Sequence, residues 1–306
     1  MSGLARMAWA LVFPAMPSHA LDVRLQPVAE GVYAHIGDKL SRSVANEGLN
    51  ANIGLVVTPA GAVLIDSGAT WSSAGQIDQA IKRVTAQPVR WVINTGGQDH
   101  RWLGNGYFKA LGAELIAHIA ARADMTSRGG DQLAALRALL GDKAAATVPT
   151  LPTRWIAQPD ARLELGGVVF ELRHRGGGHT PGDRLVWLPQ QGILFTGNIV
   201  YTDRLLAILP VSSTRQWLAS FAEIGLLAPR RIVPGHGEVA DLATAGAQTR
   251  DYLLSLRAHM KKAVDEGTDL SAAIRSFDAK PFMHLLNAAE LMPGTASRAY
   301  LEIERE

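Results

Sequence analysis

Twice along this chain, hairpin-type strands give way to alternating helix and strand, and this duplicated order constrains the fold more than any other feature. In the first half, strand-like stretches fall at residues 31–36, 53–57 and 62–65, the last two joined by Thr58-Pro59-Ala60-Gly61, a turn suited to a hairpin. Helical spacing of Ile77, Ile81 and Val84 follows, with Ser72 or Ser73 as the expected cap. Next come an apolar strand at 89–93, a helix at 105–111, a strand at 114–117, and a helical stretch at 119–140 divided at Arg128-Gly129-Gly130. The second half places strands at 161–165, 168–174, 184–188 and 192–196. A capping box of Ser213 and Gln216 opens a helix, a strand follows at 231–233, and a long amphipathic helix carries Tyr252, Leu253, Leu256 and Met260. Two sheets packed face to face with helices outside would bury both sheets. The expectation is therefore an α/β protein: one four-layer αββα sandwich built from two similar halves.

Composition excludes several function classes. The 306 residues include 30 Lys and Arg against 28 Asp and Glu, a net charge of +2 with no block of like charge. A nucleic-acid groove is not expected from such a balance. Cysteine is absent, which removes disulfides, thiol catalysis, iron–sulfur clusters and CxxC zinc sites together. At the amino terminus, Arg6 precedes an apolar run at residues 7–16, and Ser18-His19-Ala20 offers small residues for cleavage. Residues 1–20 are read as a signal peptide, so a periplasmic or secreted location is expected for a domain over residues 21–306. No stretch is long and apolar enough to embed the chain in a membrane.

Three loops that leave strands concentrate Gly, His and Asp: residues 95–101, 176–183 and 233–237. Sites assemble at such loops in α/β sheets. Each loop holds one histidine, His100, His179 and His236, and three converging imidazoles would suit a zinc ion with one open position. Taken singly, each is more often a hydrogen-bonded loop residue than a ligand. No G-x-S-x-G elbow, P-loop or G-x-G-x-x-G occurs, so serine acyl chemistry and nucleotide binding lack sequence support.

Five segments in order resemble the metallo-β-lactamase superfamily, and within it the exported quinoprotein relay system zinc metallohydrolase-like group. They are Leu64-Ile65-Asp66-Ser67-Gly68, residues 94–108, Gly178-His179-Thr180-Pro181-Gly182-Asp183, Phe195-Thr196-Gly197-Asn198, and Pro234-Gly235-His236-Gly237. The residues after His236 would then form a carboxyl-terminal helical extension. The family's H-x-H-x-D-H motif is degenerate here: aligned without gaps, its four ligand positions read Gly96, Gln98, His100 and Arg101, and Asn198 stands where a carboxylate is expected. A gapped alignment instead matches Asp99-His100 to the Asp-His pair.

The resemblance implies a divergent metal-dependent hydrolase using one zinc to activate water against an ester, lactone or amide of a small molecule. His100, His179 and His236 would be ligands, with Asn198 and Gln98 beside them. Arg101 would orient substrate or stabilise an oxyanion, and Asp99 and Asp66 complete the candidate catalytic set. Asp66 is also readable as a turn cap, and Asp183 as a turn cap after Pro181-Gly182. The segments 37–52 and 201–210 are expected to close over the site, giving it an apolar wall and an arginine rim. The alternative is a metal-poor pseudoenzyme that binds a ligand or a periplasmic protein partner.

Overall fold

The computed structural model describes residues 21–306, so the expected signal peptide lies outside the described residues. The first sheet contains β1 (Gln26–Ala29), β2 (Val32–His35), β3 (Ile53–Thr58), β4 (Gly61–Ile65), β5 (Val89–Ile93), β6 (Glu114–His118) and β7 (Arg154–Ile156), neighbours in sequence order. Pairing is antiparallel up to β4 and parallel from β4 to β7. The second sheet contains β8 (Asp160–Leu165), β9 (Val168–Arg173), β10 (Leu185–Leu188), β11 (Ile193–Phe195) and β12 (Arg231–Val233), also laid side by side in order. Only β11 and β12 run parallel there.

Strand periodicity sorts the residues into layers. In β4, Val63 and Ile65 join a core between the sheets, where they meet Phe170, Leu172, Val186 and Phe195 of the second sheet. Ala62 and Leu64 point the other way, beneath Ile77 and Ile81 of helix α1 (Trp71–Val84). In the second sheet Val186 and Leu188 face inward. Leu185 and Trp187 pack outward, in one core with Trp217 and Phe221 of a later helix. The four-layer αββα expectation holds.

The remaining helices on the first sheet are α2 (Asp99–Trp102), α3 (Asn105–Ala110) and α4 (Ala121–Leu140). On the second are α5 (Thr214–Leu227), α6 (Leu242–Ala245), α7 (Asp251–Asp265), α8 (Leu270–Ser276) and α9 (Ala288–Ile303). Among the described residues, no helix is long and apolar enough to cross a membrane.

Three expectations need correction. The cap of α1 is Thr70, whose hydroxyl accepts from the Ser73 amide while the Ser73 hydroxyl accepts from the Thr70 amide. Helix α4 runs unbroken through Gly129-Gly130. Two glycines weaken a helix by about 1 kcal/mol each relative to alanine, but a Cβ at Gly129 would lie 2.9 Å from the Trp102 ring. Gly129 thus admits the indole, which is fully buried against α4. Finally, His100 and Arg101 stand on the short helix α2, not in a loop.

Candidate active site

The site lies where β4, β5, β11 and β12 end. Asp66 follows β4 with a left-handed φ of 65°, a conformation that side chains other than glycine rarely adopt without compensating contacts. Its carboxylate accepts from the Thr95 amide at 2.7 Å and the Thr95 hydroxyl at 2.8 Å. Arg101 Nη1 adds an ion pair at 2.9 Å. Burial pushes the Asp66 carboxyl upward, and Arg101 and Thr95 oppose that shift.

Arg101 is 1% exposed, and acceptors surround its guanidinium. Nη1 donates to Asp66 and to the Asn52 carbonyl at 3.1 Å. Nη2 donates to the Gly235 carbonyl at 2.8 Å and to Asn198 Oδ1, which also accepts from Nε at 3.2 Å. A guanidinium has five N–H donors, and all five are taken. The expected substrate-orienting or oxyanion role for Arg101 is therefore corrected: it is an internal cation that ties four segments together. Asp66 is likewise turned into this web and does not line the pocket.

Above the web opens a cavity of about 380 Å³. His100, His179, His236 and Gln98 contribute to its lining, Arg42 and Arg204 supply cations, and Leu136, Leu139 and Leu209 give it an apolar side. Arg42 and Arg204 come from the two segments expected to overhang the site, and they form the arginine rim expected there. Arg204 is only 6% exposed and donates Nη1 to the Leu40 carbonyl at 3.1 Å. Arg42 pairs with Asp99. Burial, followed by the charge of Arg204, holds the Arg42 guanidinium below its usual range.

Each imidazole is held in a defined way. His179 Nδ1 lies 3.0 Å from the Ala207 carbonyl, and His236 Nδ1 lies 2.8 Å from the Asn50 carbonyl. A carbonyl can only accept, so both carry their proton on Nδ1 and present an Nε2 lone pair. His100 Nε2 is 3.4 Å from Asn198 Nδ2, and its Nδ1 is 3.3 Å from Asp99 Oδ1. Because Arg101 claims Oδ1 of Asn198, the amide NH2 faces His100, whose Nε2 lone pair accepts from it. Burial pushes all three histidines down, His179 to about 3 and the other two well below the usual value, with nearby arginines contributing.

The expected zinc ligands share one pocket. His100 and His236 pack edge to face with centroids 5.0 Å apart, and Tyr201 packs against both His236, at 4.7 Å, and His179, at 6.1 Å. Among the described residues, no three His, Asp or Glu side chains are grouped to hold one ion. Asn198 and Gln98 do not complete such a set, since Asn198 serves Arg101 and Gln98 Nε2 donates to Asp99 at 3.2 Å. Nor can a ligand be restored simply at position 96, where a Cβ would collide with Asp183 Oδ1. As they stand, the three histidines are not grouped around one zinc position, and with Gly96 and the internally paired Arg101 at two ligand positions the residues present do not fit a dinuclear centre. Asp183 does cap its turn, accepting from the Thr180 amide at 2.7 Å and from the Thr180 hydroxyl.

This αββα sandwich, with its site on the loops at strand ends, defines a class of fold, and comparison with known proteins names it. The model of the metallo-beta-lactamase superfamily matches residues 46–236, more than half of the chain. The protein belongs to that superfamily, whose members usually bind zinc. A metallo-beta-lactamase from Pontibacter korlensis is similar in structure, with a TM-score of 0.60 and 21% identity over 73% of this chain and 95% of that one. The DIM-1 metallo-beta-lactamase superposes with a TM-score of 0.61 and 18% identity, over 76% of this chain and 98% of that one. In sequence, the metallo-beta-lactamase type 2 of Bacteroides fragilis is 30% identical over 80 residues, covering 25% of this chain and only 32% of that relative.

Proposed function

We propose that this protein is a hydrolase of small amphipathic carboxylates, cleaving an ester, lactone or amide in the pocket beneath Arg42 and Arg204. One observation carries the reading: a single cavity joins neutral imidazoles, a buried cation at Arg204, a half-buried one at Arg42 and an apolar wall, with no acidic residue in its lining. Superfamily membership supports hydrolytic chemistry. An anionic substrate group matches the guanidiniums, which bind carboxylates bidentately, and its apolar part matches the leucines.

His100 is the base in this reading, because it alone of the three imidazoles has a carboxylate near Nδ1, Asp99 Oδ1 at 3.3 Å, which is not hydrogen-bonded to the neutral ring and pairs with it once it is protonated. Its Nε2 takes a proton from water while the oxygen adds to the substrate carbonyl. The carbonyl electron pair moves onto oxygen, and the resulting oxyanion faces Arg204. Asp99 steadies the imidazolium. Collapse re-forms the carbonyl and expels the alcohol or amine, which recovers the proton from His100. Burial keeps His100 neutral at pH 7, and the attacking water takes the place of the long 3.4 Å contact between Nε2 and Asn198 Nδ2.

The test is turnover of a panel of small esters and lactones with and without a carboxylate. His100→Gln is expected to lower kcat by about 100-fold or more, and Arg204→Met to raise KM by about 10-fold for the anionic substrates alone. Turnover equal to the His100→Gln background would sink the reading. Metal analysis is a separate check: one full zinc per chain, lost in His100→Ala, His179→Ala and His236→Ala, would replace this reading with the single-zinc mechanism. Export is part of the proposal, supported by Arg6 and the apolar run before Ser18-His19-Ala20. Amino-terminal sequencing of protein recovered from outside the cytoplasm tests it.

A further inference from the structure

A second cluster of basic groups lies outside this pocket, at the ends of β6 and β9 and the start of β10. Arg184, immediately before β10, is 1% exposed. Its backbone amide donates to the Thr95 carbonyl at 2.9 Å, but Nε, Nη1 and Nη2 of its side chain have no hydrogen-bond partner among the described residues. The contrast with Arg101 is complete: one buried guanidinium has every donor satisfied and the other has none. The neighbouring carboxylate does not help, since Asp183 is turned toward Thr180.

The surroundings of Arg184 are also basic. His118 and His174 stack with centroids 3.7 Å apart, and burial first, then neighbouring charge that includes Arg184, lowers both of them. His118 Nδ1 accepts from the Ala120 amide at 3.3 Å, which leaves its proton on Nε2. That N–H is buried and faces the Ala157 carbonyl, a contact that falls short of full hydrogen-bond geometry. The amino terminus of α4 has no side-chain cap, and its Ala121 abuts Gly182, two residues before Arg184. The positive end of that helix adds to the local potential. Burial alone holds the Arg184 guanidinium down, to about 9, with no carboxylate opposing the shift. Burying an unpaired cation is too unfavourable for a marginally stable domain to tolerate without compensation.

We infer that the Arg184 guanidinium, beside the stacked His118 and His174, forms a binding site for a small inorganic anion of halide size, separate from the pocket of His100 and His236. The donors call for an acceptor, the charge calls for an anion, and near-complete burial beside a tight ring stack favours a monatomic one. The anion would brace the Thr95 loop from behind, because the Arg184 amide holds Thr95 and Thr95 holds Asp66.

The experiment uses the full mature chain and bromide as the probe. Thermal unfolding is followed in sodium bromide and in sodium gluconate at matched ionic strength. Bromide is expected to raise Tm by on the order of 5 °C over a hundred-fold range of concentration, with gluconate doing much less. Arg184→Met should abolish the difference, whereas Arg204→Met should leave it in place. Crystals soaked in bromide should show an anomalous peak at the Arg184 guanidinium, which decides the matter if Arg184→Met does not fold. Equal Tm values in the two salts overturn the inference, as does a bromide effect that survives in Arg184→Met. A crystal peak without any Tm difference marks an adventitious ion only and overturns it too.

Discussion

Asp66 is almost fully buried on a left-handed backbone, and the cation that neutralises it is Arg101. Removing one member of a buried ion pair leaves the other charge unpaired, which typically costs about 3–5 kcal/mol, far more than an exposed pair contributes. Arg101→Met is therefore expected to destabilise the protein by about that amount. Adding Asp66→Asn should recover a large part of the loss, since the stranded charge is then gone. Denaturant melts of the single and double variants measure both effects, and a single-variant loss below about 1 kcal/mol contradicts the coupling. The same arithmetic separates Arg101 from Arg204. Arg204→Met removes a cation that faces the cavity, so substrate affinity should suffer more than stability.

At the scale of elements, α2 and α4 position the site through one indole. Trp102 donates Nε1 to the Gly97 carbonyl and to Gln132, both at 3.1 Å, and its ring fills the space beside Gly129. Gly129→Ala would improve helix propensity by about 1 kcal/mol but forces a contact with a ring that has nowhere to move. A net loss of roughly 1–3 kcal/mol is expected, while Gly130→Ala, which faces open space, should stabilise slightly. Thermal melts of the two alanine variants give opposite signs if this packing is right. These glycines also show where the sequence was legible. Alternation in β4 and β10 reports a local period, so the sheets and their hairpins could be read directly. The glycine pair was misread as a break because its reason lies on α2, far from it along the chain. Arg101 was misread likewise: its partners Asp66, Asn52, Asn198 and Gly235 stand 35, 49, 97 and 134 residues away. His100, His179 and His236 could be found because glycine-rich loops mark them. Arg204 could be expected at the rim from its segment, whereas Arg42 sits in a polar loop with no period or motif, so its place at the pocket emerges only once the chain is folded.

For the whole molecule, the buried histidines set how stability responds to pH. His100, His179 and His236 are all held below the usual value near 6.5, as are His35, His118 and His174, with burial the first cause in each. The unfolded chain therefore binds more protons than the folded one from about pH 6.5 down toward 3, where His179 titrates, or 4, where His118 does. The stabilisation is complete above pH 6.5 and is lost as pH falls through that window. Asp183 acts in the opposite direction: burial raises it to about 7, so the folded chain holds an extra proton below that value and loses stability as pH rises toward it. Asp66, also raised, has the same sign. Six histidines outnumber two carboxyls, so net proton uptake on unfolding should be positive near pH 5.5. Each net proton is worth about 1.4 kcal/mol per pH unit. Denaturant midpoints should thus decline steeply from pH 7 to pH 5, and His179→Gln should flatten the slope, because an amide does not titrate. A midpoint at pH 5 equal to or above that at pH 7 would mean that the imidazoles are hydrated and charged, and that the cavity is not the neutral, cation-rimmed pocket on which the proposed chemistry depends.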